Sequence, residues 1–292
     1  APEFIRGDVR DPNSLRDAFA HRRFDAVIHF AGLKTVGESV EKPIDYYDNN
    51  VQGALVLCRA MAQAGVGMLV FSSSAAVYGN ASSVPIHEDE PLEPTNPYGH
   101  SKLMVEQILR DLQASDPGAW RIAVLRCFNP VGAHPSGLIG EDPPGIPNNL
   151  MPNIAQVAVR AREKIRVFGN NYPTRDGTGV RDYIHVVDLA RGHLAALETL
   201  QRERRGMTVN LGTGQGVSVL EAVHAFERAS GRAVPLEHVE RRTGDVAESY
   251  SDPSLAEKTL GWKAELTLED MCRDTWRWRN MNSHGYKQDD PK

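Results

Sequence analysis

Residues 68–79 read MLVFSSSAAVYG. The opening run is apolar without alternation, which predicts a strand buried on both faces and therefore a parallel sheet covered by helices. It ends in small polar residues, as the carboxyl end of a strand facing a ligand would. Two further apolar runs, FDAVIHFAG (24–32) and RIAVLRCFNPVGA (121–133), flank it. Between the runs, NNVQGALVLCRAMAQAG (49–65) and PYGHSKLMVEQILRDLQA (97–114) carry helical spacing. The alternation predicts a doubly wound α/β domain whose ligand lies over the strand ends FAGLK, SSSAAVYG and FNPVGA.

The second half continues the pattern less regularly. Residues 129–152 are rich in glycine and proline and predict a long loop of the kind that is usually functional or disordered. A helix (NIAQVAVRAREK), a short strand (IRVFGN), a strand and helix (RDYIHVVDLARGHLAALETL) and a strand–turn–helix (MTVNLGTGQGVSVLEAVHAF) follow. GTGQG (212–216) mimics a dinucleotide-binding loop, but its spacing is wrong; it reads as a turn with Ser218 as helix N-cap. The last few residues are polar and are expected to fray. The opening, APEFIRGDVRD, reads as a strand running into a helix that ends near Ala20. A strand, a glycine-rich turn and a helix usually come before that point. That opening unit, of about 30 residues or more, is expected to be missing from this chain, leaving a poorly satisfied sheet edge.

Composition sets the outer bounds. The net charge of −5 gives no reason to expect nucleic acid or an anionic membrane as partner. No apolar run is long enough to span a bilayer, and no secretory leader is recognisable. Cys58, Cys127 and Cys272 are far apart, odd in number and without C-x-x-C, which points to free thiols in a reducing cytoplasm. His185 and His193 are too sparse for a metal site, so no metal is expected. Cys127 has no histidine partner and reads as a buried thiol.

Chemistry enters at NPYGHSK (96–102). Asn96 suits a helix N-cap and Pro97 the first helical position, which puts Tyr98 and Lys102 one turn apart on one face. A phenol is a poor base at neutral pH, and an adjacent ammonium and a helix N-terminus both favour the phenolate. Alone, such a pair is common by chance. Of the hydroxyls in SSSAAVYG at the end of the run 68–79, that of Ser74 is best placed to lie beside the phenol and share its hydrogen bond. A serine, a tyrosine and a lysine in this order form the three-part site of the short-chain dehydrogenases.

FAGLKTVGES, YYDNN, FSSSAAVYG, PYGHSKLMVE, FNPVGAHPSG, GIPNNLMP and GTGVRDYIHVVDLA together resemble the UDP-glucose 4-epimerases, which are extended short-chain dehydrogenases. The similarity runs from about Phe4 to Tyr286. It implies a Rossmann-like doubly wound parallel sheet that binds NAD, a smaller α/β carboxyl-terminal domain for UDP-glucose or UDP-galactose, and a homodimer that pairs helices 49–65 and 97–114. It further implies Tyr98 as base, Lys102 as its partner on the nicotinamide ribose, and Ser74 as the hydroxyl near the 4-oxygen of the sugar. Asp8 and Val9 match a pair beside the adenine. Phe30, Ala31, Gly32, Leu33 and Lys34 match a loop along the cofactor, with Lys34 near a phosphate. Asn49 and Phe128 also match cofactor contacts. Asn129, Asn149, Arg181 and Arg242 match contacts to the UDP-sugar, and Arg166, Val167 and Phe168 a strand beside the uracil. Planar guanidinium forks suit a diphosphate. Ser249 stands where some relatives carry a bulky aromatic, which implies room for an N-acetyl group.

The expected division is 1–130 for NAD and 131–292 for UDP-sugar, with 176–200 as the part of the second that would pack back on the first. The chain would serve galactose metabolism in the cytoplasm. Without the glycine-rich loop, NAD binding is expected to be weak or absent. A UDP-sugar-binding fragment without turnover is therefore the alternative from another class. Within the fold, a 4,6-dehydratase would need an acid and a base where Ala75 and Ala76 stand. A UDP-glucuronate decarboxylase would want a basic pocket for a carboxylate.

Overall fold

The computed structural model describes residues 3–143, 147–242, 245–283 and 285–286. The strands are β1 (Val27–His29), β2 (Met68–Ser74), β3 (Arg121–Cys127), β4 (Asn129–Val131), β5 (Ile165–Phe168), β6 (Val180–His185), β7 (Met207–Leu211), β8 (Gly216–Ser218), β9 (Leu236–Val239) and β10 (Glu248–Ser249). The helices are α1 (Pro12–His21), α2 (Val36–Glu41), α3 (Pro43–Tyr46), α4 (Gly53–Ala64), α5 (Pro97–Ser115), α6 (Leu150–Ala158), α7 (Val186–Glu203), α8 (Val219–Ser230), α9 (Ser254–Leu260) and α10 (Leu268–Met281).

The apolar runs form a parallel sheet in the order β1-β2-β3-β7. Side chains alternate along β2, so its two faces feed two cores. Leu69 and Phe71 pack with α4 and α5 through Leu57, Cys58, Met61, Val105 and Leu109. Met68 and Val70 face the other way, towards Leu189, Ala196 and Leu200 of α7 and Leu260 of α9, with Cys127 in the same cluster. Helices on both faces make the sheet doubly wound. A second, mixed sheet joins β10, β6 and β4, with β8 antiparallel to β6, and β5 pairs with β9. A third core, which includes Cys272, packs α6, α8 and α10 against β5 and β6.

Two expectations need correction. Residues 3–8 form no strand, because a strand is held by its ladder and no described strand lies beside them. For the same reason β1 pairs only with β2 and is the sheet edge among the described residues. The helix expected over 49–65 is not one regular element. Tyr47–Gln52 is a π-helical stretch that runs into α4, and Gly65 ends α4 in the left-handed conformation. The long loop also contains β4 and leads into α6. Its residues 144–146, and the polar end at 287–292 expected to fray, lie outside the described residues.

GTGQG is a turn tied down by the fully buried Asp182. That carboxylate accepts from the backbone N–H groups of Thr213, Gly214 and Ser251 and from the hydroxyls of Thr213 and Ser251. Ser218 then caps α8 in a capping box with Glu221.

Candidate active site

Helix α5 is started by Asn96, whose side-chain oxygen accepts from the Gly99 N–H at 2.9 Å, with Pro97 in the first turn. Gly99 lets the helix approach the segment after β2: a Cβ there would lie 2.6 Å from the Ala76 carbonyl oxygen. This close approach brings Tyr98, Lys102 and Ser74 together. Lys102 Nζ donates to the Ser72 carbonyl at 2.9 Å. It sits 4.9 Å from the Phe71 ring centre and 6.0 Å from that of Tyr98. The Ser74 hydroxyl accepts from the Ala76 N–H at 3.1 Å and faces the Tyr98 phenol closely enough to lower it.

Electrostatics depart from the expectation that Lys102 lowers the phenol. Burial pushes Tyr98 up to about 12, and the Ser74 hydrogen bond opposes this only in part. Burial also pushes Lys102 down to about 8. Desolvation outweighs an ammonium that is aimed at the Ser72 carbonyl rather than at the phenolic oxygen. His29, on β1, is driven down to about 4 by burial and by Lys102. Burial raises the Cys127 thiol to about 11, so it is no thiolate at neutral pH.

The loop of Phe30, Ala31, Gly32, Leu33 and Lys34 runs past this cluster. Asn50, which sequence reasoning passed over in favour of Asn49, holds it. The Asn50 side chain accepts from the Leu33 N–H at 2.8 Å and donates to the Leu33 carbonyl and to Ser101. The π-helical turn supplies Asn50, and the NN pair at 49–50 was the available signal. Asn49 is half-buried, with no side-chain hydrogen bond among the described residues. The Tyr46 hydroxyl clasps both backbone groups of Thr35. Phe30 is 59% exposed and stacks on His193 at 4.7 Å. Lys34 pairs with Glu141 at 3.2 Å, and the same carboxylate oxygen accepts from Asn149. Asp8 is exposed and bonded to Arg10, which holds its carboxyl down at about 2. Val9 packs against the α4 core, and the ring of Phe128 is buried with Val77, Tyr78 and Ile86.

Beyond β3 opens a cavity of about 450 Å³. It gathers Asn129, Asn149, Arg166, Val167, Phe168, Arg181 and Arg242. Arg242 lies 3.7 Å above the Phe168 ring, and Arg181 faces Asp245 at 3.6 Å. Arg162, Tyr172, Tyr183 and Asp245 also line it, and none was singled out from the sequence. Ser249 does not line the cavity but pairs in register with Arg181 across β10 and β6. Among the described residues, no cluster of His, Cys, Asp and Glu could hold a metal ion, and no helix is long and apolar enough to cross a membrane.

Comparison with known proteins adds the chemical family. Residues 1–275 match the family model described as GDP-mannose 4,6 dehydratase. The UDP-glucose 4-epimerase of Bacillus subtilis (strain 168) is 57% identical over 284 residues, 97% of this chain and 84% of that protein. The crystal structure of the enzyme from Stenotrophomonas maltophila, with bound NAD and formylated UDP-arabinopyranose, is 53% identical. It superposes with a TM-score of 0.94 over 97% of this chain and 84% of that one. The Bifidobacterium longum enzyme, in complex with NAD+ and UDP, is 53% identical, with a TM-score of 0.92 over 96% and 83% of the two chains. With relatives this similar over nearly its whole length, the chain belongs to the UDP-glucose 4-epimerase family.

Proposed function

We propose that this chain interconverts UDP-glucose and UDP-galactose by inversion at C4, with NAD as cofactor, in galactose metabolism. The observation that carries the reading is the gathering of Ser74, Tyr98 and Lys102 where β2 ends in register with Cys127, two residues before Asn129 enters the cavity of Arg181 and Arg242. The residues present fit the nicotinamide-ribose end of NAD. Lys102 spends one of its three N–H donors on Ser72, and among the described residues the others have no hydrogen-bond partner. A ribose diol suits them. Lys34, 67% exposed at its side chain, has the reach and charge for a phosphate.

Bound NAD supplies a reversible hydride acceptor. Tyr98, as the phenolate, takes the proton from the 4-hydroxyl, with the Ser74 hydroxyl bridging the two oxygens; the positive charge that bound NAD would bring beside it opposes the burial that raises the phenol. Arg181 and Arg242 grip the diphosphate, and the Phe168 face offers a stacking surface to the uracil. Loss of proton and hydride gives a 4-keto sugar. This sugar turns over while the diphosphate stays anchored, and reduction from its other face inverts C4.

In this reading residues 1–130 serve NAD and 131–292 the UDP-sugar. Helix α7 packs on β2 and β3, and β7 completes the first sheet, so the second region reaches back into the first. A 4,6-dehydratase, the activity in the family model's description, is disfavoured. Ala75 and Ala76 follow Ser74 in a short 3-10 turn, and neither can move a proton.

The test supplies the protein with NAD and UDP-galactose and follows UDP-glucose by NMR. Turnover that Tyr98→Phe lowers by about 100-fold or more supports the reading, and no turnover by the native protein overturns it. On the resemblance that sets the small Ser249 where some relatives carry a bulky aromatic, and on its register with the cavity-lining Arg181, we also propose that UDP-N-acetylglucosamine and UDP-N-acetylgalactosamine interconvert. The same assay with those two sugars decides it, and their failure while UDP-galactose reacts would refute it.

A further inference from the structure

Beneath the cluster lies an ion pair that the proposed chemistry does not use. Glu106 is fully buried, and Arg126 is 2% exposed. Glu106 follows Tyr98 and Lys102 at successive four-residue steps, so it shares their face of α5. Its carboxylate accepts from the Ser73 hydroxyl at 2.6 Å, and from Arg126 Nε at 3.2 Å and Nη2 at 2.9 Å. Arg126 Nη1 donates to the Tyr78 hydroxyl at 3.0 Å and to the Glu88 carbonyl at 2.9 Å. The Tyr78 hydroxyl in turn donates to the Asn210 side-chain oxygen at 2.6 Å. Every nitrogen of the guanidinium is engaged.

Three consecutive serines of β2 are therefore gripped by three residues of one helix face. The Ser72 carbonyl binds Lys102, the Ser73 hydroxyl binds Glu106, and the Ser74 hydroxyl meets Tyr98. A buried ion pair is often no more stable than apolar side chains of the same volume, so stability alone does not account for it. What it adds is direction. A carboxylate and a guanidinium fork have one good mutual geometry, and here that geometry spans α5, β2 and β3.

We infer that Glu106 and Arg126 are positioning residues, which set the register of α5 against β2 and so hold Tyr98 and Lys102 at their working distance from Ser74. The inference rests on the epimerase reading for its kinetic arm alone. A misplacement of about 1 Å at a reacting group can cost about 100-fold in rate.

The experiment compares the native protein with Glu106→Gln and with the paired variant Glu106→Leu, Arg126→Met. Melting temperature, kcat, KM and the NMR resonance of 13C-labelled Tyr98, assigned by its loss in Tyr98→Phe, are read for each. The paired variant is expected to melt near the native temperature, since it leaves no unpaired buried charge. Both variants are expected to keep KM for UDP-galactose within about twofold while kcat falls by about 10- to 100-fold. In both, the Tyr98 resonance is expected to shift or broaden while that of Tyr286 stays in place. A paired variant with native kcat and an unmoved Tyr98 resonance would reduce the pair to packing and overturn the inference. If the native protein has no turnover, the epimerase reading fails, and the Tyr98 resonance still decides the inference.

Discussion

His29 lies at the end of β1, 5% exposed, with burial and Lys102 both disfavouring its charge. Its pKa falls from 6.5 to about 4 on folding, so as pH drops the unfolded chain takes up this proton first. The stability from neutral His29 is complete above about 6.5 and is lost as pH falls from there to about 4. The full loss is about 3 kcal/mol. Melting curves across that window are expected to show the decline, and His29→Asn to flatten part of it. His185 and His193, also lowered by burial, act with the same sign and keep the remainder. A curve unchanged by His29→Asn would show that this proton is not linked to folding. At this scale the sequence was legible where spacing and resemblance single out a side chain and opaque where one side chain holds another. Tyr98, Lys102 and Ser74 could be read from spacing. Glu106 and Arg126 could not, because their partners are up to 48 residues away and meet only through the fold.

Helix α5 has its chemistry in its first turns, so its N-cap matters more than most. The Asn96 side chain satisfies the Gly99 N–H, one of the unpaired donors of the first turn. Asn96→Ala is expected to cost about 1 kcal/mol, which a protein of this size shows as a melting shift of a few degrees. Fraying there loosens Tyr98 before it touches the core, so kcat is expected to fall while KM holds. Equal losses in kcat for Asn96→Ala and for Ser218→Ala, the cap of α8, would show that the cap acts only through global stability. Asn96, Pro97 and Ser218 were readable because caps are local rules. The opening, APEFIRGDVRD, was misread as starting with a strand because a short run marks only a candidate and a neighbour makes the ladder. The π-helical turn at Tyr47–Gln52 left no periodicity signal in six residues.

Across the whole molecule, the doubly wound sheet followed from three apolar runs, since buried parallel strands need no alternation. The second sheet was less visible: β4, β8 and β10 are two or three residues long, and β7 returns to the first sheet after α7. The sequence located the cavity's arginines by family resemblance, whereas Tyr172 and Asp245 reach it only because loops fold over it. The homodimer we propose also belongs to this scale. Met104, 46% exposed in the middle of α5, gives that helix an apolar contact to offer a second copy. Sedimentation of the protein is expected to give twice the chain mass, and Met104→Glu to give single chains. A native protein that sediments as one chain would end that proposal.

The three cysteines fall one to each major core: Cys58 under α4 and α5, Cys127 under α7 and α9, and Cys272 under α8 and α10. All are free and buried. A thiol-labelling dye can therefore mark a cysteine only while its own core stands open. Mass-resolved pulses of such a dye make the chain its own recorder of breathing. Simultaneous marking means that the three cores open as one cooperative unit. Marking in sequence gives the order in which they come apart.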